Sequence, residues 1–352
     1  MKILYGVQGT GNGHIARARM MAKHFQTRSA DVQFLFSGRD ASAYFDMEVF
    51  GDYEHRQGLT FATTNGKIDT LKTLREARPL QFIRDVKHLD LSGYDLIVTD
   101  FEPVTAWAGR IHKKPVVGVG HQYAFGYPDV PEEGVDFINS TIMRNFAPTR
   151  YRLGLHWHHF NAPIVPPIIN PDEKPAKTPG QHIVVYLPFE NQLRVTQTLQ
   201  QLEGYEFRQY SPDLSDGSDG NVQLRKTNLH GFKADLCSAA GVICNAGFEL
   251  ISECLHMGIP ALAKPVAGQS EQLGNAAALR QLGCASVMED FSVAAIRDWL
   301  ASQPQHSPRH YPDVAAAICD WLLKGQWHDS AGLVESLWQR TDRAPLTLAK
   351  TG

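Results

Sequence analysis

Residues 241–283 read GVICNAGFELISECLHMGIPALAKPVAGQSEQLGNAAALRQLG. The apolar run Val242 to Cys244 lies between Gly241 and the turn Asn245-Ala246-Gly247, the pattern of a buried strand ended by a tight turn. Phe248, Ile251 and Leu255 then recur at helical spacing up to Met257. Gly258 stops that helix and Pro260 follows it. A second buried strand, Pro260 to Ala263, leads through a loop, Lys264 to Ser270, into a helix from Glu271 to Leu282 closed by Gly283. This order of elements is one α/β unit of a parallel sheet. Gly247 lets a ligand approach the backbone closely. The N–H groups of Phe248 and Glu249 open a helix, where a diphosphate is electrostatically welcome. Glu253 lies on the same helix, near enough to offer a carboxylate to a ribose diol.

A similar unit opens the chain. Lys2 to Val7 reads as a strand, followed by the glycine loop Gln8-Gly9-Thr10-Gly11-Asn12-Gly13-His14 and a helix through Ile15, Ala18, Met21, Ala22 and Phe25. His14 stands where a dinucleotide fingerprint has its third glycine, and the next strand, Val32 to Phe36, ends in Ser37-Gly38-Arg39-Asp40 without a clear ribose-binding acid. A nicotinamide cofactor is therefore not expected. Two more strands follow: Tyr94 to Asp100, ending in Asp100-Phe101-Glu102-Pro103, and Pro115 to Val119, ending in Gly120-His121-Gln122. Ligands of open α/β sheets sit beyond the carboxyl ends of the strands, so His14, Asp100, Glu102, His121 and Gln122 are expected to converge on one cleft. Asp100 has the alternative role of capping the next helix. Glu102, directly before Pro103, has less to do structurally.

The chain has 352 residues, 43% apolar and 20% charged, a prior for two soluble domains. A net charge of −3 argues against a nucleic-acid partner. The five cysteines form no Cys-x-x-Cys pair, which fits reduced core residues in a cytoplasmic setting. Neither a signal peptide nor a membrane-spanning run is expected. Gly66 to Leu91 is basic and amphipathic, broken at Pro79. It reads as a solvated helix face, with peripheral contact to the inner face of a membrane as the alternative. His156, His158 and His159 lie on an expected strand from Tyr151 to Phe160 with no further ligand cluster, so no metal site is expected. The boundaries expected are a first domain over 1–162, a proline-rich linker over 163–181, a second domain over 182–310, and C-terminal helices over 311–352. The second domain opens with a strand, His182 to Leu187, whose following turn, Pro188-Phe189-Glu190-Asn191, has no glycine. Gly217 to Asn221 reads as a flexible turn.

These pieces together resemble the GT-B glycosyltransferases, in particular the family related to the bacterial GlcNAc transferase of peptidoglycan lipid synthesis (glycosyltransferase family 28-like). Residues 230–285 resemble its donor half, and Gly11-Asn12-Gly13-His14-Ile15-Ala16-Arg17 its N-terminal loop. Asp100 to Pro103 and His121-Gln122 resemble a poorly characterised branch. The resemblance implies an α/β fold of two doubly wound, Rossmann-like domains facing across a cleft, with the last helices packing back on the first domain. It implies that the turn at Asn245 to Gly247 and the start of the helix at Phe248 and Glu249 bind a diphosphate. Glu253 would then hold the ribose hydroxyls, and Glu271 and Gln272 the sugar hydroxyls. Asn275 and Ala276 match the Asn-Ala that follows that pair. Phe232 and the backbone of Lys233 would border the base, and Gly11 and Gly13 make room for donor and acceptor. One departure stands out. Many relatives carry His or Arg where this chain has Asn245, so the charge that binds the diphosphate must come from elsewhere.

The function implied is transfer of a sugar from a nucleotide-sugar, with a UDP-sugar as first candidate, to a hydroxyl acceptor such as a lipid or glycan. The mode implied is inverting, with no obligatory metal or other cofactor. An acceptor hydroxyl needs a base near neutral pH. His14 is the candidate, with Asp100 or Glu102 orienting it or serving as the base themselves. A nucleotide-sugar hydrolase and a catalytically silent nucleotide-sugar-binding protein are the alternatives on the same fold.

Overall fold

The computed structural model describes residues 1–59, 78–133, 145–178, 180–302 and 307–341, together with two short strands in between. The strands are β1 (Lys2–Gln8), β2 (Asp31–Ser37), β3 (Glu54–His55), β4 (Thr63–Thr64), β5 (Lys67–Ile68), β6 (Leu96–Asp100), β7 (Val116–Gly120), β8 (Tyr151–Leu155) and β9 (Ile164–Val165) in the first half. The second half holds β10 (His182–Tyr186), β11 (Glu206–Ser211), β12 (Gly217–Asp219), β13 (Val222–Lys226), β14 (Gly241–Asn245), β15 (Ala261–Lys264) and β16 (Ser286–Val287). The helices are α1 (Asn12–Thr27), α2 (Pro79–His88), α3 (Pro103–Ile111), α4 (Gln192–Leu199), α5 (Leu229–Cys237), α6 (Phe248–Met257), α7 (Ser270–Leu282), α8 (Val293–Ala301), α9 (Val314–Lys324) and α10 (Ala331–Gln339).

Two seven-stranded sheets result, in the orders β3-β2-β1-β6-β7-β8-β9 and β12-β13-β11-β10-β14-β15-β16. Within these two sheets every pairing is parallel except β12 with β13, and β4 and β5 form a separate antiparallel pair. Both sheets reverse direction of growth beside their first strand, β1 or β10, and this is where doubly wound folds bind ligands. The apolar runs of the sequence become the sheet interiors. All of β6, β7, β14 and β15 is buried. Gly258 and Gly283 end α6 and α7 in the left-handed conformation, at φ 72° and 59°, as helix stops commonly do.

Several local expectations change. The strand expected to run to Phe160 ends at Leu155, because the chain turns at Phe160 and Asn161, both at positive φ. Ile164 and Val165, inside the proline-rich stretch, join the first sheet as its edge strand β9, a position that tolerates flanking prolines. The turn expected over Gly217 to Asn221 is instead the antiparallel hairpin β12–β13. Pro79 begins α2, whose Leu80 and Ile83 are exposed. Of the helix expected from Gly66 to Pro79, Lys67 and Ile68 instead form strand β5, paired with β4, and residues 69–77 lie outside the described residues. No helix among the described residues is long and apolar enough to cross a membrane.

The C-terminal helices return to the first domain. Arg28, the residue that closes α1, pairs with Asp320 of α9 at 2.6 Å, and Trp338 Nε1 of α10 donates to the Ile164 carbonyl at 2.8 Å. One continuous apolar cluster runs from β1 and α1 through α6 to α9.

Candidate functional site

The first half of the site is built on α1. Gly11 precedes the helix without a side-chain cap, which leaves its first turn facing the cleft. His14 and Arg17 are three residues apart and so share a face. His14 Nδ1 lies 2.8 Å from Asp100 Oδ1 at the end of β6. Arg17 grips the same carboxylate, Nε to Oδ2 at 3.0 Å and Nη2 to Oδ1 at 2.7 Å. Its Nη1 reaches across to Glu249 of α6. Burial pushes the Asp100 carboxyl up, but Arg17 and His14 outweigh it and hold the group below the usual range. Gln122 Nε2 is 3.3 Å from His14 Nε2 and donates to Glu271 Oε2 at 2.9 Å. His14 Nδ1 also lies 2.9 Å from Arg17 Nη2, so it faces a donor and an acceptor together; with the proton on Nδ1 toward Asp100, Nε2 would keep its lone pair toward Gln122 and the cleft.

Glu102 proves different from its expectation. Its side chain caps α3, accepting from Val104 N (2.8 Å), Thr105 N (2.6 Å), Thr105 Oγ1 (2.7 Å) and Ser37 Oγ (2.6 Å). It is fully buried. Burial raises its pKa and those four donors oppose the rise. Expected to have little structural work, Glu102 is the cap of α3, whereas Asp100, with capping as its alternative role, faces His14. Phe101 between them sits at φ 56°, a costly conformation for an aromatic residue. That twist separates the two carboxylates, and the Phe101 ring is held by stacking on Phe146 at 5.0 Å.

The second half faces it from α6 and α7. Gly247 begins α6 with no side-chain cap, and a Cβ there would meet nothing within 4 Å. Open space and free N–H groups thus lie at a helix start. Asn245 Nδ2 donates to the Lys264 carbonyl, while its Oδ1 is buried without a partner. Lys264, in register with Asn245, pairs with Glu190 at 2.7 Å. Glu253 pairs with Lys233 at 2.6 Å, and Lys233 also holds Glu173, in the stretch expected as linker, at 2.9 Å. Burial raises the Glu253 pKa against the pull of Lys233. Burial also pushes the Glu249 carboxyl up to about 8, with Arg17 opposing.

The two halves touch. A Cβ on Gly13 would stand 2.9 Å from Glu249 Cγ, so the close approach of α1 to α6 depends on glycine there. His121, expected in the open cleft, is fully buried between the domains. Its ring stacks on Phe248 at 4.0 Å, and its Nδ1 and Nε2 face the Leu155 carbonyl (2.8 Å) and Asn275 Oδ1 (2.6 Å). Burial lowers its pKa, with Glu271 opposing. Gln272 Oε1 accepts from Val266 N at 3.0 Å, holding the loop before α7. Phe232 packs on Tyr186, whose hydroxyl accepts from Asn12 Nδ2 of the glycine loop at 3.2 Å. A cavity of about 360 Å³ opens beside Gln122 and Glu271 and is walled by Phe101, Tyr123, Phe125 and Arg152.

His156, His158 and His159 do not form a cluster of ligands. Their Nδ1 atoms accept from the backbone N–H of Trp157, Phe160 and Asn161, shaping the loop after β8. Burial pushes His158 down to about 4. Among the described residues no three His, Cys, Asp or Glu side chains gather closely enough to hold a metal. Sequence reasoning missed Arg17, Lys264 and Arg39. Only Arg17 carried a local signal, its helical spacing from His14. The other two become neighbours of the site only when strand ends are brought together.

A model of glycosyl transferase family 1 matches residues 1–304. None of the curated proteins matches the chain. Solved structures do. MurG of Acinetobacter baumannii is 15% identical, with a TM-score of 0.53 over 96% of this chain and 100% of that one. The calicheamicin glycosyltransferase CalG4 is 14% identical, with a TM-score of 0.56 over 97% and 100%. The glycosyltransferase VinC, solved with dTDP, is 14% identical, with a TM-score of 0.52 over 96% and 99%. At these identities the structures speak for the fold, and the family match speaks for the activity. The chain belongs to glycosyl transferase family 1 and is a glycosyltransferase of the GT-B fold.

Proposed function

We propose that this enzyme transfers a sugar from a nucleoside-diphosphate sugar to a hydroxyl acceptor, inverting the anomeric carbon in one displacement. The observation that carries the reading is the His14–Asp100 pair, 2.8 Å apart, on the opposite side of the cleft from the uncapped start of α6. The acceptor, entering by the cavity beside Gln122, gives its proton to His14 Nε2. Its oxygen bonds to the anomeric carbon, and the bond from that carbon to the diphosphate breaks. The diphosphate leaves with the electron pair and is stabilised by the N–H groups of Phe248 and Glu249 and the dipole of α6. Asp100 holds the ring in the competent tautomer and stabilises the imidazolium that forms. The likeness to VinC, solved with dTDP, supports trying dTDP-sugars alongside UDP-sugars.

The test is a thermal-shift screen of UDP-, dTDP-, GDP- and ADP-sugars, then turnover with a hydroxyl acceptor panel, with and without EDTA. The donor that binds should raise the melting temperature, and Glu253→Ala should abolish the shift. His14→Ala should lower kcat by roughly 10²–10⁴ while leaving donor affinity within about threefold. Sugar release at full rate without acceptor would make the enzyme a hydrolase. Loss of activity in EDTA would overturn metal independence. Absence of any nucleotide-sugar shift would sink the proposal.

A further inference from the structure

The donor's diphosphate brings negative charge to a cleft whose strand-end residue, Asn245, is neutral. Three cations near it are already paired. Arg17 is shared by Asp100 and Glu249, Lys233 by Glu173 and Glu253, and Lys264 is held by Glu190. Arg39, just past the end of β2, has no carboxylate partner among the described residues. The neighbouring Asp40 turns away to Ser42. The Arg39 guanidinium lies 4.6 Å from the Tyr44 ring centroid, and its Nη1 donates to Asn12 Oδ1 at 3.1 Å. Its Nε and Nη2 have no hydrogen-bond partner of good geometry, and the nearby Tyr44 hydroxyl is the group that supports the guanidinium. Asn12 in turn donates to Tyr186 of β10, so Arg39 stands where the glycine loop of the first domain meets the second. Tyr186 packs at 5.4 Å on Phe232, the residue placed beside the donor base by resemblance.

A half-buried cation with two enclosed donors short of acceptors is stabilised when an acceptor completes it. The free atoms are the Nε and Nη2 edge, the fork that takes two oxygens of one phosphate. Burial lowers the Arg39 pKa, with Tyr44 and Tyr186 opposing and no carboxylate contributing. We infer that the Nε–Nη2 edge of Arg39 binds a phosphate group, that of the nucleoside-diphosphate donor, from the first-domain side, so that the donor ties the two domains together. This rests on the proposed function and deepens it: the charge absent at Asn245 is supplied from across the cleft.

Calorimetric titration of wild type, Arg39→Ala, Arg39→Lys and Asn12→Ala tests it, using UDP, dTDP, uridine, thymidine and inorganic pyrophosphate. Arg39→Ala is expected to weaken nucleoside diphosphates by about 10–100-fold and nucleosides by less than about threefold. Arg39→Lys, which keeps the charge and loses the fork, should fall between, and it carries the comparison if Arg39→Ala does not fold. Asn12→Ala should cost less than Arg39→Ala. Equal losses for nucleosides and diphosphates would make Arg39 a support for the Asn12 loop and overturn the inference. So would unchanged diphosphate affinity in Arg39→Ala. Loss of pyrophosphate binding with UDP binding intact would assign the site to a phosphate other than the donor's and overturn it too. A wild type that binds no nucleoside diphosphate would instead remove the donor reading beneath it.

Discussion

The two sheets place the same element twice. In each, the strand beside the first one ends at the cleft and is followed by a helix: β6 then α3, β14 then α6. Strand end, cap and first helical residue correspond one to one, Asp100-Phe101-Glu102-Pro103 against Asn245-Ala246-Gly247-Phe248. The chemistry is opposite. Glu102 closes the start of α3 from within, filling its first N–H groups with a buried carboxylate. Gly247 leaves the start of α6 open, and no side chain caps it. The same backbone position is structural in one domain and ligand-ready in the other, and the difference is one side chain. At the strand ends the contrast repeats: Asp100 gathers a cation and His14, while Asn245 keeps an unpartnered amide oxygen.

Breaking the closed helix start should give the largest effect. Glu102→Ala leaves two backbone N–H groups and two hydroxyls in the core without their acceptor. A lost cap and buried unsatisfied donors together are expected to cost about 2–4 kcal/mol. Urea unfolding measures this. A loss under about 0.5 kcal/mol would mean that water replaces Glu102 easily, and that the position was free for chemistry after all.

Closing the open start tests the other side. Gly247 sits at φ −77° and ψ 147°, which any residue adopts. Gly247→Asp should therefore fit, cap α6, and stabilise the fold by about 1 kcal/mol. It should also weaken nucleoside-diphosphate binding at least about tenfold, because a fixed carboxylate takes the N–H groups a phosphate would use. Unfolding and UDP or dTDP titration read the two effects separately. Tighter or unchanged nucleotide binding in Gly247→Asp would move the diphosphate away from α6.

The open side was the more legible of the two in the sequence. Glycine turns, helix stops and apolar strands are local features, so residues 241–283 could be divided almost to the residue. The fold followed from them and from the resemblance. The closed side was misread, because Glu102 and Asp100 look interchangeable two residues apart. Their roles are decided by the positive φ of Phe101 and by Ser37 and Arg17, brought in from elsewhere in the fold. Lys264, Arg39 and the burial of His121 depend on strand register and domain contact, which no local pattern encodes.

Glu249 decides how open α6 is. It is the acid in the first turn of the open helix, and as an anion it would compete with a diphosphate. Burial pushes it up to about 8 against Arg17, so near neutral pH it holds a proton that the unfolded chain has lost. The unfolded group ionises near 4.3. Between about pH 5 and 8 the native state therefore binds up to one more proton than the unfolded state. Stability should fall as pH rises through that window, by up to about 1.4 kcal/mol per pH unit from this group, and level off above it. Asp100, held low, acts only at more acidic pH. His121 and His156, both lowered by burial, contribute equally to wild type and variant and cancel in the difference. Glu249→Gln removes the slope, so urea unfolding from pH 5 to 8.5 should show the variant gaining on wild type as pH rises. Parallel curves would mean that Glu249 is ionised and fully paired with Arg17 at neutral pH. The start of α6 would then carry its own anion, as α3 does, and the contrast between the two helices would fail at the point where the proposed chemistry needs it.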